Sequence, residues 1–194
     1  EAFPKTSGKM KPIFLTAQKV QTVFESEDWQ FCFIGGVALQ RWAVPRLTND
    51  VDLTLLTGFG NEEHFIERIL AEFEPRVDDP TNFARRNRVL LVSYDNVGID
   101  ISLGALEFEK LAVSRSSIWG PLPDISLRTC SAEDLIVFKS LADRLQDWAD
   151  IENILSVREN LDWDYIHEQL EPLVEVKEAP EILVKLQQLR AAAP

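Results

Sequence analysis

The chain has 194 residues, 45% of them apolar, with 20 Lys and Arg against 32 Asp and Glu and a formal charge of −12. That is enough apolar material for one compact unit with a sizeable core and a helical appendage, while the charge opposes a broad grip on nucleic acid and leaves room for only a local basic patch. No stretch reaches the run of about eighteen apolar residues that a membrane span needs, and the first residues lack the basic-then-apolar pattern of a signal peptide; the expectation is a cytoplasmic protein with no membrane partner.

Between Pro12 and Glu27 the apolar residues Ile13, Phe14, Ala17, Val20 and Phe24 recur near the helical period, which predicts an amphipathic helix. Phe31 to Ile34 reads as a short buried strand broken by Gly35-Gly36, and Val37 to Ala43 as the first turns of a helix ended by Pro45. Asn49 to Leu56 alternates, with Val51, Leu53 and Leu55 facing one way and Asp50, Asp52 and Thr54 the other, so it is a strand. Glu62 to Phe73 returns to a helical pattern. Arg88 to Tyr94 and Val97 to Leu103 then read as strands joined by an Asp95-Asn96 turn. From Glu107 to Thr129 the signals are mixed, with Pro121 and Pro123 marking a loop or short edge strands. Ser131 opens the strongest helix, with acidic residues in its first turn, and the pattern runs to about Leu155. Asp162 to Leu173 and Pro180 to Ala193 complete a helical C-terminal third, punctuated by Pro172 and Pro180.

Cys32 and Cys130 lie far apart beside apolar or small residues, which fits buried free thiols. His64 and His167 stand in separate helix-like segments with no Cys or His cluster, which argues against structural zinc.

The chemistry concentrates around carboxylates. Asp50 and Asp52, at i and i+2 of a strand, project from the same face about 7 Å apart, within reach of cations above it. Alone, such a pair serves equally as the solvent face of a strand. Asp100 shares a polar face with Gly98 and Ser102; if the two strands are neighbours, three carboxylates converge and a bound cation relieves their repulsion. All-oxygen ligation selects Mg2+ or Mn2+ over zinc. Gly35-Gly36 carries a buried strand straight into a helix, leaving backbone N–H groups open to a phosphate; a tight connection is the plainer use of the same turn. On the long helix Lys139, Asp143, Asp147 and Asp150 fall within about 80° of one another, opposite Leu135, Phe138, Leu141, Ala142, Leu145 and Trp148. The bland account is a solvated face with a Lys139–Asp143 ion pair worth about 0.3–0.5 kcal/mol.

Gly35-Gly36-Val37-Ala38-Leu39, then Arg46-Leu47-Thr48-Asn49-Asp50-Val51-Asp52-Leu53, then Ile99-Asp100-Ile101 occur in one order. This order resembles the nucleotidyltransferase superfamily typified by DNA polymerase β, and within it the bacterial branch of abortive-infection and toxin–antitoxin nucleotidyltransferases. The resemblance runs from about Phe31 to Ile154. It implies an α+β (mixed α/β) fold: a small mixed sheet flanked by helices. The core would span residues 1–128, including the N-terminal helix, with a helical region over 129–194 packed on it.

The resemblance also implies metal-dependent transfer of NMP from an NTP. Asp50 and Asp52 would hold two Mg2+ (or Mn2+) ions, Asp100 would add to metal binding and activate an acceptor hydroxyl, and Gly35 and Gly36 would hold the phosphates. Arg144-Leu145-Gln146-Asp147-Trp148-Ala149-Asp150-Ile151 matches the spacing of a later motif of the branch. Lys139 is therefore expected on the triphosphate, with Asp147 positioning Lys139 or the acceptor. Arg46 and Thr48, next to the acidic pair, are assigned to the nucleotide. The acceptor is an RNA or tRNA end, a protein hydroxyl or a small molecule such as an aminoglycoside, and a toxin role brings a cognate antitoxin as partner. Val37 stands where many members carry Ser or Thr near the second glycine. That departure supports a second reading, a catalytically degenerate nucleotide-binding or protein-interaction module on the same fold.

Overall fold

In the computed structural model, which describes residues 7–193, the alternating segment forms the middle strand of a seven-stranded sheet. Among the described residues the strands are β1 (Phe31–Phe33), β2 (Asp50–Leu56), β3 (Glu74–Pro75), β4 (Val89–Tyr94), β5 (Val97–Gly104), β6 (Ser117–Leu122) and β7 (Ile125–Thr129), in the order β3-β4-β5-β2-β1-β7-β6. The sheet is mixed: β2 runs parallel to β5 and antiparallel to β1, and β1 runs parallel to β7. The helices are α1 (Ser7–Ser26), α2 (Gly35–Trp42), α3 (Glu62–Leu70), α4 (Pro80–Asn87), α5 (Glu107–Ser114), α6 (Ala132–Ala142), α7 (Leu145–Leu155), α8 (Trp163–Lys177) and α9 (Glu181–Ala192).

The sheet separates two cores. Val51, Leu53 and Leu55 pack with Phe33, Ile99, Phe24 of α1 and Ile66 of α3 on one face. Cys32, one residue out of phase with Phe31 and Phe33, joins Leu39, Leu135, Trp148 and Ile166 on the other. Each fully buried aliphatic side chain contributes about 1.5–3 kcal/mol. A one-residue slip of β2 would exchange Leu53 for Asp52 in the first core, so burial alone fixes which face carries the carboxylates. Both cysteines are buried free thiols, and among the described residues no helix is long and apolar enough to cross a membrane.

Three expectations need correction. The segment from Glu107 to Thr129 opens on a helix, α5, where none was expected, and continues in the β6–β7 hairpin, whose β6 is the short edge strand that Pro121 marked. Glu109 satisfies the free N–H groups at the start of α5, accepting from Ala105 N at 2.8 Å and Leu106 N at 2.9 Å, and Pro121 is tolerated because β6 is the edge of the sheet. Pro172 does not end a helix; it lies inside α8, which continues to Lys177.

The third correction reshapes the site. Ser131 caps α6 as expected, accepting from Asp134 N at 3.1 Å, but the helix stops at Ala142. Asp143 takes a left-handed φ of 55°, Arg144 is extended, and α7 begins afresh at Leu145. Asp is one of the few residues that visit this region, and Trp148 Nε1 holds it there by donating to Asp143 Oδ1 at 2.6 Å. No continuous face therefore joins Lys139 to Asp150: Leu145, expected against the core, is 90% exposed, while Asp147 and Asp150 are buried. Lys139 pairs with those two acids rather than with Asp143.

Candidate active site

Asp50 and Asp52 leave β2 on the face opposite the first core. The parallel pairing with β5 sets Asp52 beside Asp100 and Asp50 beside Gly98. All three carboxylates line a pocket of about 500 Å³, whose wall also includes Gly35, Gly36, Arg46, Thr48, Lys139 and Asp147. The structure thus brings to one cavity all of the residues assigned a site role from the sequence, drawn from β2, β5, the β1–α2 turn, the α2–β2 loop and the α6–α7 corner.

The two glycines are required first by the protein itself. Gly35 has φ +52°, and a methyl group there would stand 2.2 Å from Asp52 Oδ2; one on Gly36 would stand 2.3 Å from Thr48 Oγ1. The bare turn lets β2 close onto the start of α2, where Gly36 N donates to Asp52 Oδ2 at 3.3 Å and Ile34 N to the Asp52 carbonyl at 2.9 Å. Val37, next in sequence, is buried in the first core and points away from the pocket.

Burial pushes the Asp52 carboxyl above its ordinary range; Gly36 N–H and Lys139 oppose the rise, while Asp100 and Asp50 add to it. Asp100 is likewise raised by burial and by Asp50, with Arg76 pulling it back. Carboxylate oxygens that repel one another are the donor set of a hard divalent cation. Among the described residues no group of three or more His, Cys, Asp or Glu side chains is placed to hold a metal ion by itself; Asp50, Asp52 and Asp100 line one pocket as an open row. Such a row suits magnesium-type coordination, which uses one or two protein carboxylates and completes itself with phosphate and water oxygens. The residues present therefore fit a metal delivered with a triphosphate.

Opposite the row lies a buried ion network. Lys139 Nζ donates to Asp150 Oδ2 at 2.6 Å and to Asp147 Oδ1 at 3.1 Å. Arg46 grips Asp150 with two nitrogens, Nε and Nη2, both at 2.6 Å, and Gln146 adds a third contact at 3.0 Å. Gln40 ties this arm to the glycine turn, donating to the Arg46 carbonyl at 2.7 Å and to the Gly36 carbonyl at 3.2 Å. Arg144 Nε closes the chain on Asp147 Oδ2 at 2.6 Å. Burial alone would raise the Asp150 carboxyl, yet the bonds from Arg46 and Lys139 outweigh it and hold the group below its ordinary range.

Asp150 is the member the sequence reading left unassigned, although it was counted on the helix face. Its partner Arg46 is 104 positions away, a separation that no local pattern reveals. Arg144 and Gln146 also line the pocket, brought there by the break at Asp143. Arg76, on Asp100, gave no signal at all.

No curated protein matches the chain. Several solved structures are similar to it. The antibiotic-resistance factor ANT(2'')-Ia shares 16% identity over 94% of this chain and 91% of that one, with a TM-score of 0.48. The lincosamide antibiotic adenylyltransferase LnuA, solved with lincomycin, shares 13% over 72% of this chain and 94% of that one, with a TM-score of 0.48. JHP933 from Helicobacter pylori shares 12% over 99% and 95%, with a TM-score of 0.47. At these values none of them bears on which acceptor this chain uses. The family model described as nucleotidyl transferase AbiEii toxin, type IV TA system, matches residues 20–193, a span that includes every pocket-lining residue named above. The chain is a nucleotidyltransferase and belongs to the AbiEii toxin family of type IV toxin–antitoxin systems.

Proposed function

We propose that this nucleotidyltransferase moves the NMP group of an NTP onto an acceptor hydroxyl in a reaction that depends on Mg2+ or Mn2+ held by Asp50, Asp52 and Asp100, and that it acts as the toxin of a pair with a cognate antitoxin. The observation that carries the reading is the register of β2 on β5: Asp52 and Asp100 side by side, opening on a pocket whose other wall presents Lys139.

The metal, when bound, neutralises phosphate charge and stabilises the entering and departing oxygens. The chain's own groups do the rest. Lys139 has two of its three N–H donors on Asp147 and Asp150, which aims the ammonium at the pocket, where it meets the triphosphate. Arg46, pinned through the Nε and Nη2 edge of its guanidinium to Asp150, and Thr48 flank the nucleotide. Asp100, whose carboxyl burial lifts above its ordinary value, receives the acceptor's proton. The acceptor oxygen bonds to the α-phosphorus, the bond from that phosphorus to the β-phosphate oxygen breaks, and pyrophosphate leaves with the electron pair. Val37 is turned into the core, so its lack of a hydroxyl removes no donor from the pocket. The acceptor hydroxyl belongs to an RNA end, a protein or a small molecule; a charge of −12 confines any RNA to a local contact.

Calorimetric titration of each NTP with Mg2+ tests the binding half: saturable heat is expected for the wild type and none for Asp50→Ala or Asp52→Ala. Incubation with α-labelled NTPs, Mg2+ and cell extract tests transfer. Label on RNA, protein or a small product that vanishes with Asp52→Ala supports it; nucleotide binding with no labelled product would leave the degenerate module in its place.

A further inference from the structure

Asp100 carries a partner that the transfer chemistry does not call for. Arg76 follows β3, and its N–H donates to the Leu91 carbonyl at 3.0 Å. Leu91 pairs with Asp100, and Asp100 pairs with Asp52, so Arg76, Leu91, Asp100 and Asp52 form one row across the sheet, with side chains on one face. The Arg76 guanidinium reaches over Leu91 and donates to Asp100 Oδ1. A methyl group on Gly98 would stand 2.7 Å from Arg76 Nη1 and 2.4 Å from Asp50 Oδ1, so only a bare residue at 98 leaves room for both the guanidinium and the Asp50 carboxylate beside it.

We propose that Arg76 is a resident counter-cation of the acidic row, neutralising Asp100 in the metal-free enzyme and competing for it with the divalent ion. The inference rests on the reading that these carboxylates hold metal. Guanidinium stays charged at any working pH, so the contest is with another cation and not with a proton. Arg76 is equipped to yield: its side chain is 32% exposed, and it follows a strand of two residues at the sheet edge. Lys139 does not play this part, because Asp147 and Asp150 already hold it. The consequence is selective loading. A bare ion must displace the guanidinium unaided, whereas an ion arriving on a triphosphate brings extra ligands and anionic charge to replace the lost contact, which makes metal uptake depend on nucleotide.

Titration of wild type, Arg76→Gln, Arg76→Lys and Asp52→Asn with Mn2+ alone, followed by calorimetry, with melting temperatures in EDTA and in Mn2+, tests the idea. Arg76→Gln is expected to bind Mn2+ about ten-fold more tightly than wild type, to melt lower in EDTA, and to gain more from Mn2+; Arg76→Lys, which keeps the charge, stays close to wild type. Arg76→Gln binding Mn2+ no better than wild type, while Asp52→Asn loses it, overturns the counter-cation role and leaves the metal reading standing. Binding that is indifferent to Asp52→Asn overturns both, and Mn2+ alone binding to neither wild type nor Arg76→Gln overturns the counter-cation role, the metal reading then being decided by Mn2+ titration with NTP present.

Discussion

Lys139 Nζ lies 2.6 Å from Asp150 Oδ2, and the two side chains are only 6% and 1% exposed. Asp150 also accepts from Nε and Nη2 of the Arg46 guanidinium, so one carboxylate anchors two cations that line the pocket. A buried ion pair is weak evidence of net stabilisation, but removing one partner strands the other charge out of water. Asp150→Ala is therefore expected to cost about 3–5 kcal/mol of unfolding free energy, measured by urea denaturation. Lys139→Met should cost less, because Asp150 keeps Arg46 and Gln146. Equal costs would mean that Asp150 is not the hub.

The same carboxylate gives an acid signature. Burial opposes ionisation of Asp150, but the bonds from Arg46 and Lys139 prevail and its folded pKa lies below the ordinary value. The facing groups are Arg46 from the loop before β2, Lys139 from α6, and Gln146 and Asp147 from α7. A carboxyl depressed on folding contributes stability above its unfolded pKa, about 3.9, and loses it as the pH falls through the folded value. The stability gap between wild type and Asp150→Asn should be constant from pH 7 to about pH 5 and close progressively below about pH 4. Urea unfolding across that range measures it; a gap that persists unchanged at pH 3 removes Asp150 as the titrating group.

The parts of the site that alternate in sequence were readable from it. The period-two pattern of β2 and β5 put Asp50, Asp52 and Asp100 on one face because one-sided burial dictates that face. The glycine turn was legible as a place where side chains are excluded, although what fills the space is Asp52 and Thr48 as much as any phosphate. The corner at Asp143 was not legible, since helical periodicity continues through it and a single left-handed Asp depends on a bond from Trp148. Nor was the short helix α4, although Asp79 and Pro80 are a cap and first-turn pair, Asp79 accepting from Asn82 N at 3.2 Å. Partners such as Arg46 with Asp150 and Arg76 with Asp100 depend on chain crossings that local periodicity does not encode.

The thiols report on the second core. Cys32 and Cys130 are fully buried on that side, and burial pushes both thiols above their ordinary range. Since the thiolate is the reactive form, native protein at pH 8 should leave both unmodified by a thiol-disulfide reagent, and both should react once urea unfolds the chain. Slow native labelling would track opening of β1 and β7 from α2 and α6. Rapid labelling of either cysteine under native conditions contradicts the packing of that core.

Gly35 and Gly58 form a matched pair for measuring how tightly the β1–α2 turn holds Asp52. Both have positive φ, +52° and +70°, but a methyl group on Gly58 meets nothing within 4 Å, whereas one on Gly35 falls 2.2 Å from Asp52 Oδ2. Gly58→Ala should then show the conformational cost alone, about 1–2 kcal/mol. Gly35→Ala should cost that much plus about 1–3 kcal/mol for displacing a half-buried carboxylate, and the displaced Asp52 should also lose its bond from Gly36 N. Thermal unfolding gives the first comparison and Mn2+ titration the second, with Gly58→Ala binding as wild type does and Gly35→Ala binding at least ten-fold more weakly, about 1.4 kcal/mol or more. If the two variants unfold and bind alike, Asp52 turns aside freely and the glycine turn does not set its position.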